Sequence, residues 1–216
     1  MTARIFVVDD HPVTRKGYGF LIGEAPGLEV CGEAASAEEA LAEIPDDCNL
    51  LVTDVSMKGL SGVELVKSLQ ATRPDLPVLV VSMHDESLYA ERVLKAGARG
   101  YLMKSEAGGL IVEAIRRVLR GGTYVSPAMF ESIVRQVSDG RSVTPGAGVD
   151  ALSDRELEAL EHLGRGLATS QIAEAMVVSP NTVESYRARI KKKLGLKSGG
   201  DLTRYAIRHA QERGLL

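Results

Sequence analysis

Apolar runs with no internal polar alternation recur through the first half of the chain, and a stretch with helical spacing follows each one. Residues 4–8 (Arg-Ile-Phe-Val-Val), the triplet Leu50, Leu51 and Val52, and the run from Val78 to Val81 all read as strands covered on both faces. Leu28 to Glu33 and Gly100 to Lys104 are two further short strands. Helices are predicted after Pro12, from Ser36 to about Ile44, from Ser61 to Ala71, from about Glu86 to Ala96, and from about Ala107 to Arg120. Ser36 with Glu39 forms a capping box, and Arg73-Pro74 stops the third helix. Five strand-then-helix units predict an α/β fold, a doubly wound five-stranded parallel sheet with helices on both faces. In such a sheet the ligand site lies beyond the carboxyl ends of the strands.

The pattern changes after residue 122. Ser126-Pro127 opens a helix to about Val137, and residues 138–150 are rich in Gly and poor in large apolar groups, as expected of a linker. From Ala151 onward the spacing is wholly helical. Ser153 and Glu156 form a capping box for a helix to about Leu163, and Thr169 caps a short helix through Met176. Ser179-Pro180 starts a helix that Gly195 closes, and a last helix runs from about Asp201 to Glu212. The expected organisation is a domain over 1–122, a linker helix and flexible linker over 123–150, and a small all-α four-helix domain over 151–216.

Charge supports the division. The net charge of −3 conceals 11 Lys/Arg against 8 Asp/Glu in residues 151–216 and 15 against 21 in residues 1–150. An acidic first part and a mildly basic second part point to different partners. No apolar stretch approaches the length of a membrane span and no signal peptide can be drawn, so the expected location is cytoplasmic, with no membrane partner. Cys31 and Cys48 form no metal-binding pattern and read as reduced, buried thiols.

The chemistry gathers at strand ends. A solitary carboxylate such as Asp54, after a buried strand, is ordinarily a turn cap. Asp54 has company, however: Asp9 and Asp10 end the first strand, Ser82 the fourth and Lys104 the fifth. If the strand order is flavodoxin-like 2-1-3-4-5, the acids of the first and third strands meet at the switch point. Carboxylates crowded there repel unless a small hard cation joins them, and Mg²⁺ suits oxygen ligands of this kind. Lys104 and the Ser82 hydroxyl would suit the oxygens of a phosphoryl group, with Asp54 as its acceptor.

These motifs, Val-Val-Asp9-Asp10-His, Thr-Asp54-Val-Ser-Met, Val-Ser82-Met-His and Gly-Tyr101-Leu-Met-Lys104, resemble the receiver domain of bacterial two-component response regulators over roughly residues 3–122. The resemblance implies that Asp54 accepts phosphate from a sensor histidine kinase. It implies direct Mg²⁺ contact by Asp10, Asp54 and the Ser56 carbonyl, with Asp9 acting through water. Ser82 and Tyr101 resemble the switch pair. Ser56 and His84 occupy the variable positions that line the path of the attacking water, where they would tune dephosphorylation. Lys58 stands where the family usually has proline, which bears on the shape of that loop.

On the helix from Pro180, Val183, Tyr186, Ile190 and Leu194 share one face, while Asn181, Glu184, Ser185, Ala188, Arg189 and Lys192 point away. Six basic residues and no acid lie between Arg187 and Lys197. A run of this kind is often just a solvated face. Here it lies on the second helix of a pair joined by the short turn Val177-Val178, the arrangement of a recognition helix. The pattern from Leu152 to Gly195 resembles the LuxR-type DNA-binding domain over about 150–214, and both matches together indicate the NarL/FixJ class. The second resemblance implies base-edge contacts from Glu184, Ser185 and Ala188, and phosphate contacts from Thr182, Arg189, Lys192, Thr169 and Ser170. Homodimerisation on double-stranded DNA through the last helix is implied as well. Glu184 stands where many members have lysine, and Tyr186 where many have histidine. A regulator independent of phosphorylation and a Mg²⁺-dependent phosphohydrolase using Asp54 are the rival readings. The hydrolase wants a general acid near the nucleophile, often two residues on, where this chain has Ser56.

Overall fold

The computed structural model describes residues 2–138 and 148–212. Residues 139–147, most of the expected flexible linker, lie outside that range, as do residues 213–216. The chain divides into two compact units, Met1–Asp139 and Gly140–Leu216.

The first unit alternates β1 (Ala3–Val8), α1 (Pro12–Gly23), β2 (Leu28–Ala34), α2 (Ala37–Glu43), β3 (Leu50–Thr53), α3 (Gly62–Thr72), β4 (Val78–Ser82), α4 (Glu86–Ala96), β5 (Gly100–Met103) and α5 (Lys104–Leu119). The sheet is wholly parallel, in the order β2-β1-β3-β4-β5. The continuous apolar runs are explained by burial on both faces. Ile5, Val7, Leu50, Val52, Leu79, Val81 and Leu102 turn to one face, where they pack with Tyr18 and Ile22 of α1 and Ile111, Ile115 and Val118 of α5. Their alternates Phe6, Val8, Leu51 and Val80 are equally inaccessible. The register then levels the strand ends: Val8 lies opposite Thr53, Thr53 opposite Val80, and Val80 opposite Tyr101.

Several local expectations shift. Helix α5 begins at Lys104 itself rather than near Ala107, and its cap position is Met103, which makes no side-chain capping bond. With no capping residue and with Gly108-Gly109 in the second turn, the true start carries no local signature. The last residue expected of the strand is therefore the first of the helix. The first unit also extends beyond residue 122. Tyr124 bridges to Gly100, the Ser126 amide donates to Glu86, and Met129 of α6 (Pro127–Ser138) is buried. Of the two cysteines, Cys48 is buried and Cys31 only half-buried; both are free thiols.

The second unit holds a short 3-10 turn (Gly148–Ala151) and helices α7 (Asp154–Gly164), α8 (Thr169–Ala175), α9 (Pro180–Leu194) and α10 (Gly199–Glu212). Capping chemistry explains the starts. Ser153 and Glu156 close a reciprocal box on α7, and Ser179 caps α9 with Pro180 in the first turn. Ser198 and Asp201 exchange bonds at the start of α10, so this helix opens at Gly199 despite the glycine pair. Thr169 is not the cap of α8. That position is Ala168, whose amide donates to Gln171.

Candidate functional site

Asp54 follows β3 directly, and its amide donates to the Val8 carbonyl, which ties it to the end of β1. Asp9 and Asp54 are almost wholly shielded from solvent. Because α5 starts at Lys104, that side chain projects back over the strand ends. Its ammonium lies 2.6 Å from Asp54 Oδ2 and 2.8 Å from Asp9 Oδ2. Asp54 Oδ1 accepts from the Val55 amide at 2.6 Å, and Asp9 Oδ1 from the His11 amide at 2.8 Å.

One ammonium faces three carboxylates, since Asp10 borders the same space. Burial pushes the Asp54 carboxyl above its ordinary range, and the Lys104 charge opposes that rise without cancelling it. For Lys104, burial works to lower its pKa, yet Asp54 and Asp9 raise it above the usual lysine value. The excess negative charge reaches Tyr18 of α1, whose phenol is pushed up by burial and then by Asp9 and Asp54.

Asp9, Asp10, His11 and Asp54 each offer a ligand atom within 4.8 Å of one another. Asp10 Oδ1 is solvent-shielded and makes no hydrogen bond among the described residues, although His11 Nδ1 lies 2.8 Å away. An orphaned carboxylate oxygen beside two buried acids fits a hard, oxygen-preferring cation. His11 was not singled out by sequence. Its only signal is its place directly after Asp9-Asp10.

Ser82 and Tyr101 are fully buried. Both grip the backbone of His84: the Ser82 hydroxyl accepts from its amide at 3.2 Å, and the Tyr101 hydroxyl donates to its carbonyl at 2.7 Å. The His84 ring stacks on Tyr89 with centroids 4.4 Å apart, and its Nε2 lies 2.7 Å from Ser56 Oγ. Ser56 and His84 therefore touch, 28 residues apart in the chain, and His84 lies near enough to Asp54 to act on its charge.

The loop from Val55 to Ser61 is closed by contacts that do not involve Lys58, which is exposed. The Gly62 amide donates to the Val55 carbonyl at 2.8 Å, and the Leu60 amide to Glu38 of α2 at 3.0 Å. Gly62 is required by space: a Cβ there would sit 1.8 Å from the Asp54 carbonyl oxygen. Sequence reading passed over Gly62, since nothing near it in the chain reports that approach.

In the second unit, α8 and α9 form the expected pair, and Val177 in the turn adopts a left-handed φ of 53°. Val183 and Ile190 are buried, and Tyr186 and Leu194 half-buried. Asn181, Glu184, Ser185, Ala188, Arg189 and Lys192 are exposed, Thr182 partly so. The basic run is not uniform. Lys193 reaches Glu156 of α7 at 2.6 Å, whereas Arg189 and Lys192 make no ion pair among the described residues. Thr169 and Glu184, expected to face DNA separately, are hydrogen-bonded to each other at 2.9 Å.

Comparison with known proteins accords with this division. Residues 5–116 match the family model of the response regulator receiver domain, and residues 150–206 that of bacterial regulatory proteins of the luxR family. The response regulator GacA of Pseudomonas protegens is 35% identical over 207 residues, spanning 95% of this chain and 96% of that protein. The transcriptional activator protein ExaE of Pseudomonas putida is 36% identical over 214 residues, spanning 98% and 97%. A crystal structure of a LuxR-family two-component response regulator from Aurantimonas sp. superposes with a TM-score of 0.59 at 34% identity, over 64% of this chain and 99% of that one.

Proposed function

The chain belongs to the response regulators that join a receiver domain to a LuxR-type DNA-binding domain, and from that premise we propose the residues through which it acts. Asp54 is the phosphoacceptor, loaded by a sensor histidine kinase. The observation that carries this reading is the Lys104 ammonium, seated between Asp54 and Asp9 where a phosphoryl group's charge must be met. Asp10, Asp54 and the Ser56 carbonyl would hold Mg²⁺, with Asp9 acting through water. The ion would supply positive charge for the transferring oxygens. The chain's own residues do the rest. Lys104 neutralises charge developing on the phosphoryl oxygens, and the Ser82 hydroxyl can leave the His84 amide to meet one of them. Tyr101, already inside, would report that movement to the surface through its hold on His84. The Ser56–His84 contact would control the entry of the hydrolysing water and so the lifetime of the signal. Turnover is confined to this self-phosphorylation and dephosphorylation.

The output is double-stranded DNA, bound by a homodimer formed through α10. Ser185 and Ala188 meet base edges, with Glu184 beside them. Thr182, Arg189, Lys192 and Ser170 meet phosphates, and Thr169 lies at the same edge. The site of action is the cytoplasm; no helix among the described residues is long and apolar enough to cross a membrane.

The test is to incubate the chain with a small acyl phosphate and Mg²⁺ and weigh it intact. Wild type gains one phosphoryl group, and Asp54→Asn gains none. Chelation of the metal abolishes the gain. Phosphorylation that persists in Asp54→Asn overturns the assignment.

A further inference from the structure

The two helices of the helix-turn-helix are joined by a cluster that ordinary DNA contacts do not explain. Thr169, in the first turn of α8, donates its hydroxyl proton to Glu184 Oε1 at 2.9 Å and accepts from Arg187 Nη1 at 2.8 Å. Arg187 Nη1 also lies 3.6 Å from the same carboxylate oxygen. The hydroxyl has one proton and spends it on Glu184, so it relays between a guanidinium and a carboxylate. Arg187 is buried more deeply than Glu184, its side chain 23% exposed against 59%. A Cβ on Gly199, at the start of α10, would come within 3.9 Å of Arg187 Nη2. Arg187 thus sits where α8, α9 and the start of α10 meet.

We propose that Glu184 is a positioning residue that weakens the sequence-independent attraction of α9 for DNA, by holding Arg187 and Thr169 in this cluster, and is not a base-reading carboxylate. The proposal rests on the DNA-binding reading above. Thr169 and Arg187 both hold Oε1, so the cluster fixes the orientation of the carboxylate whether or not a base is present, although Oε2 keeps its acceptor sites. Left in place, the cluster presents a phosphate with a neutralised pair instead of an open cation. Arg187 then adds little to the backbone attraction that every sequence shares. Affinity for all DNA falls together, while the difference between sequences, which is read at base edges, is left as it is. Lysine at position 184, common in the resembled family, would have the opposite effect.

The test uses the full chain in two measurements: salt titration against a duplex of random sequence, and sequencing of duplexes selected from a random pool. Glu184→Gln should bind the random duplex about 3- to 10-fold tighter at low salt, and its slope of log affinity against log salt should steepen by about 0.9, the increment for one further phosphate neutralised. Thr169→Val leaves Glu184 beside Arg187 and should keep the wild-type slope. Both should select the same base pattern as wild type, and Glu184→Gln/Arg187→Ala should return to the wild-type slope. Glu184→Gln keeps the side chain's shape at an exposed position, and thermal melting checks that Thr169→Val folds. A changed preference at one base-pair position in Glu184→Gln marks a base reader and overturns the proposal. So does an unchanged slope in Glu184→Gln, or weaker binding by Thr169→Val, which would mark Thr169 as a phosphate ligand. A wild-type chain that binds no duplex at any salt overturns the DNA-binding reading itself, and the proposal with it.

Discussion

The acidic site and the basic helix carry the same kinds of charged group in opposite surroundings. Asp9, Asp54 and Lys104 come from three strand ends and lie out of the solvent, with every charge within 2.8 Å of an opposite one. Arg189 and Lys192 come from one helix, stand in water and have no ion-pair partner among the described residues. In the first region each charge is held by geometry and is costly to disturb, because a buried charge left alone loses its hydration with no return. In the second, each charge is hydrated, screened by salt and close to independent of its neighbours. Switching needs the former, since a phosphoryl group must displace a balanced arrangement. Holding a polyanion needs only the latter.

The contrast can be broken most severely at Gly62. Gly62→Ala forces a methyl group into the Asp54 main-chain carbonyl. It should destabilise the first unit by about 3 kcal/mol, at the upper end of overpacking effects, and abolish phosphoryl incorporation. Urea titration followed by circular dichroism, with intact-mass phosphorylation assays, checks both.

Lys104→Met removes the one cation shared by two buried acids. Phosphoryl incorporation should slow by about 100-fold or more, as for loss of a charge-stabilising group. The pH response should also change. Burial already raises the Asp54 carboxyl, and losing Lys104 raises it further. A carboxyl whose folded pKa exceeds its unfolded value adds stability below the unfolded pKa and loses it as pH rises through the folded one. Urea midpoints of Lys104→Met should therefore fall more steeply than wild type between acid and neutral pH. A parallel pair of curves would refute this.

A smaller effect of opposite sign is expected in the second unit. Burial works to raise the Glu156 carboxyl, but hydrogen bonds from Lys193 and Ser153 outweigh it and hold the carboxyl below its usual range. That stability is present above the unfolded pKa and is lost as pH falls through the folded value. Lys193→Met should cost about 1 kcal/mol at neutral pH, because Lys193 is partly exposed and screened. The difference from wild type should vanish in acid, as read from thermal melting against pH.

Smallest for folding are Arg189→Ala and Lys192→Ala. Each should change stability by less than about 0.5 kcal/mol while lowering the salt slope of DNA binding by about 0.9. Filter binding at several salt concentrations measures the slope. An unaltered slope in both would remove the phosphate contacts assigned to α9.

The two regions also differed in how far they could be read from sequence. The α9 faces were legible in full, because a helix presents its faces at a fixed angular step and Ser179-Pro180 and Gly195 mark its ends locally. The acidic residues were legible as strand-end positions, because unbroken apolar runs such as Leu50 to Val52 end abruptly in charge. Lys104 was legible beside them, but the contacts and constraints that place these groups were not. The start of α5 at Lys104 has no capping residue to announce it, Gly62 is constrained by a backbone eight residues earlier, and Ser56 meets His84 only when two loops come together. The cluster of Thr169, Glu184 and Arg187 was missed for the same reason, although each residue stood in a recognised element.

By itself, then, the sequence determined the order of elements, the alternation that buries the sheet on both sides, the gathering of Asp9, Asp10, Asp54, Ser82 and Lys104 at one end of it, and the exposed side of α9. All of these follow from periodicity and end signals acting over a few residues. Tertiary structure alone decided which atoms meet: one ammonium between two carboxylates, a histidine ring against a serine hydroxyl, a threonine between an arginine and a glutamate. Strand register and helix starts set those meetings to within an ångström, and nothing local in the chain encodes a distance between residues 28 or 50 positions apart.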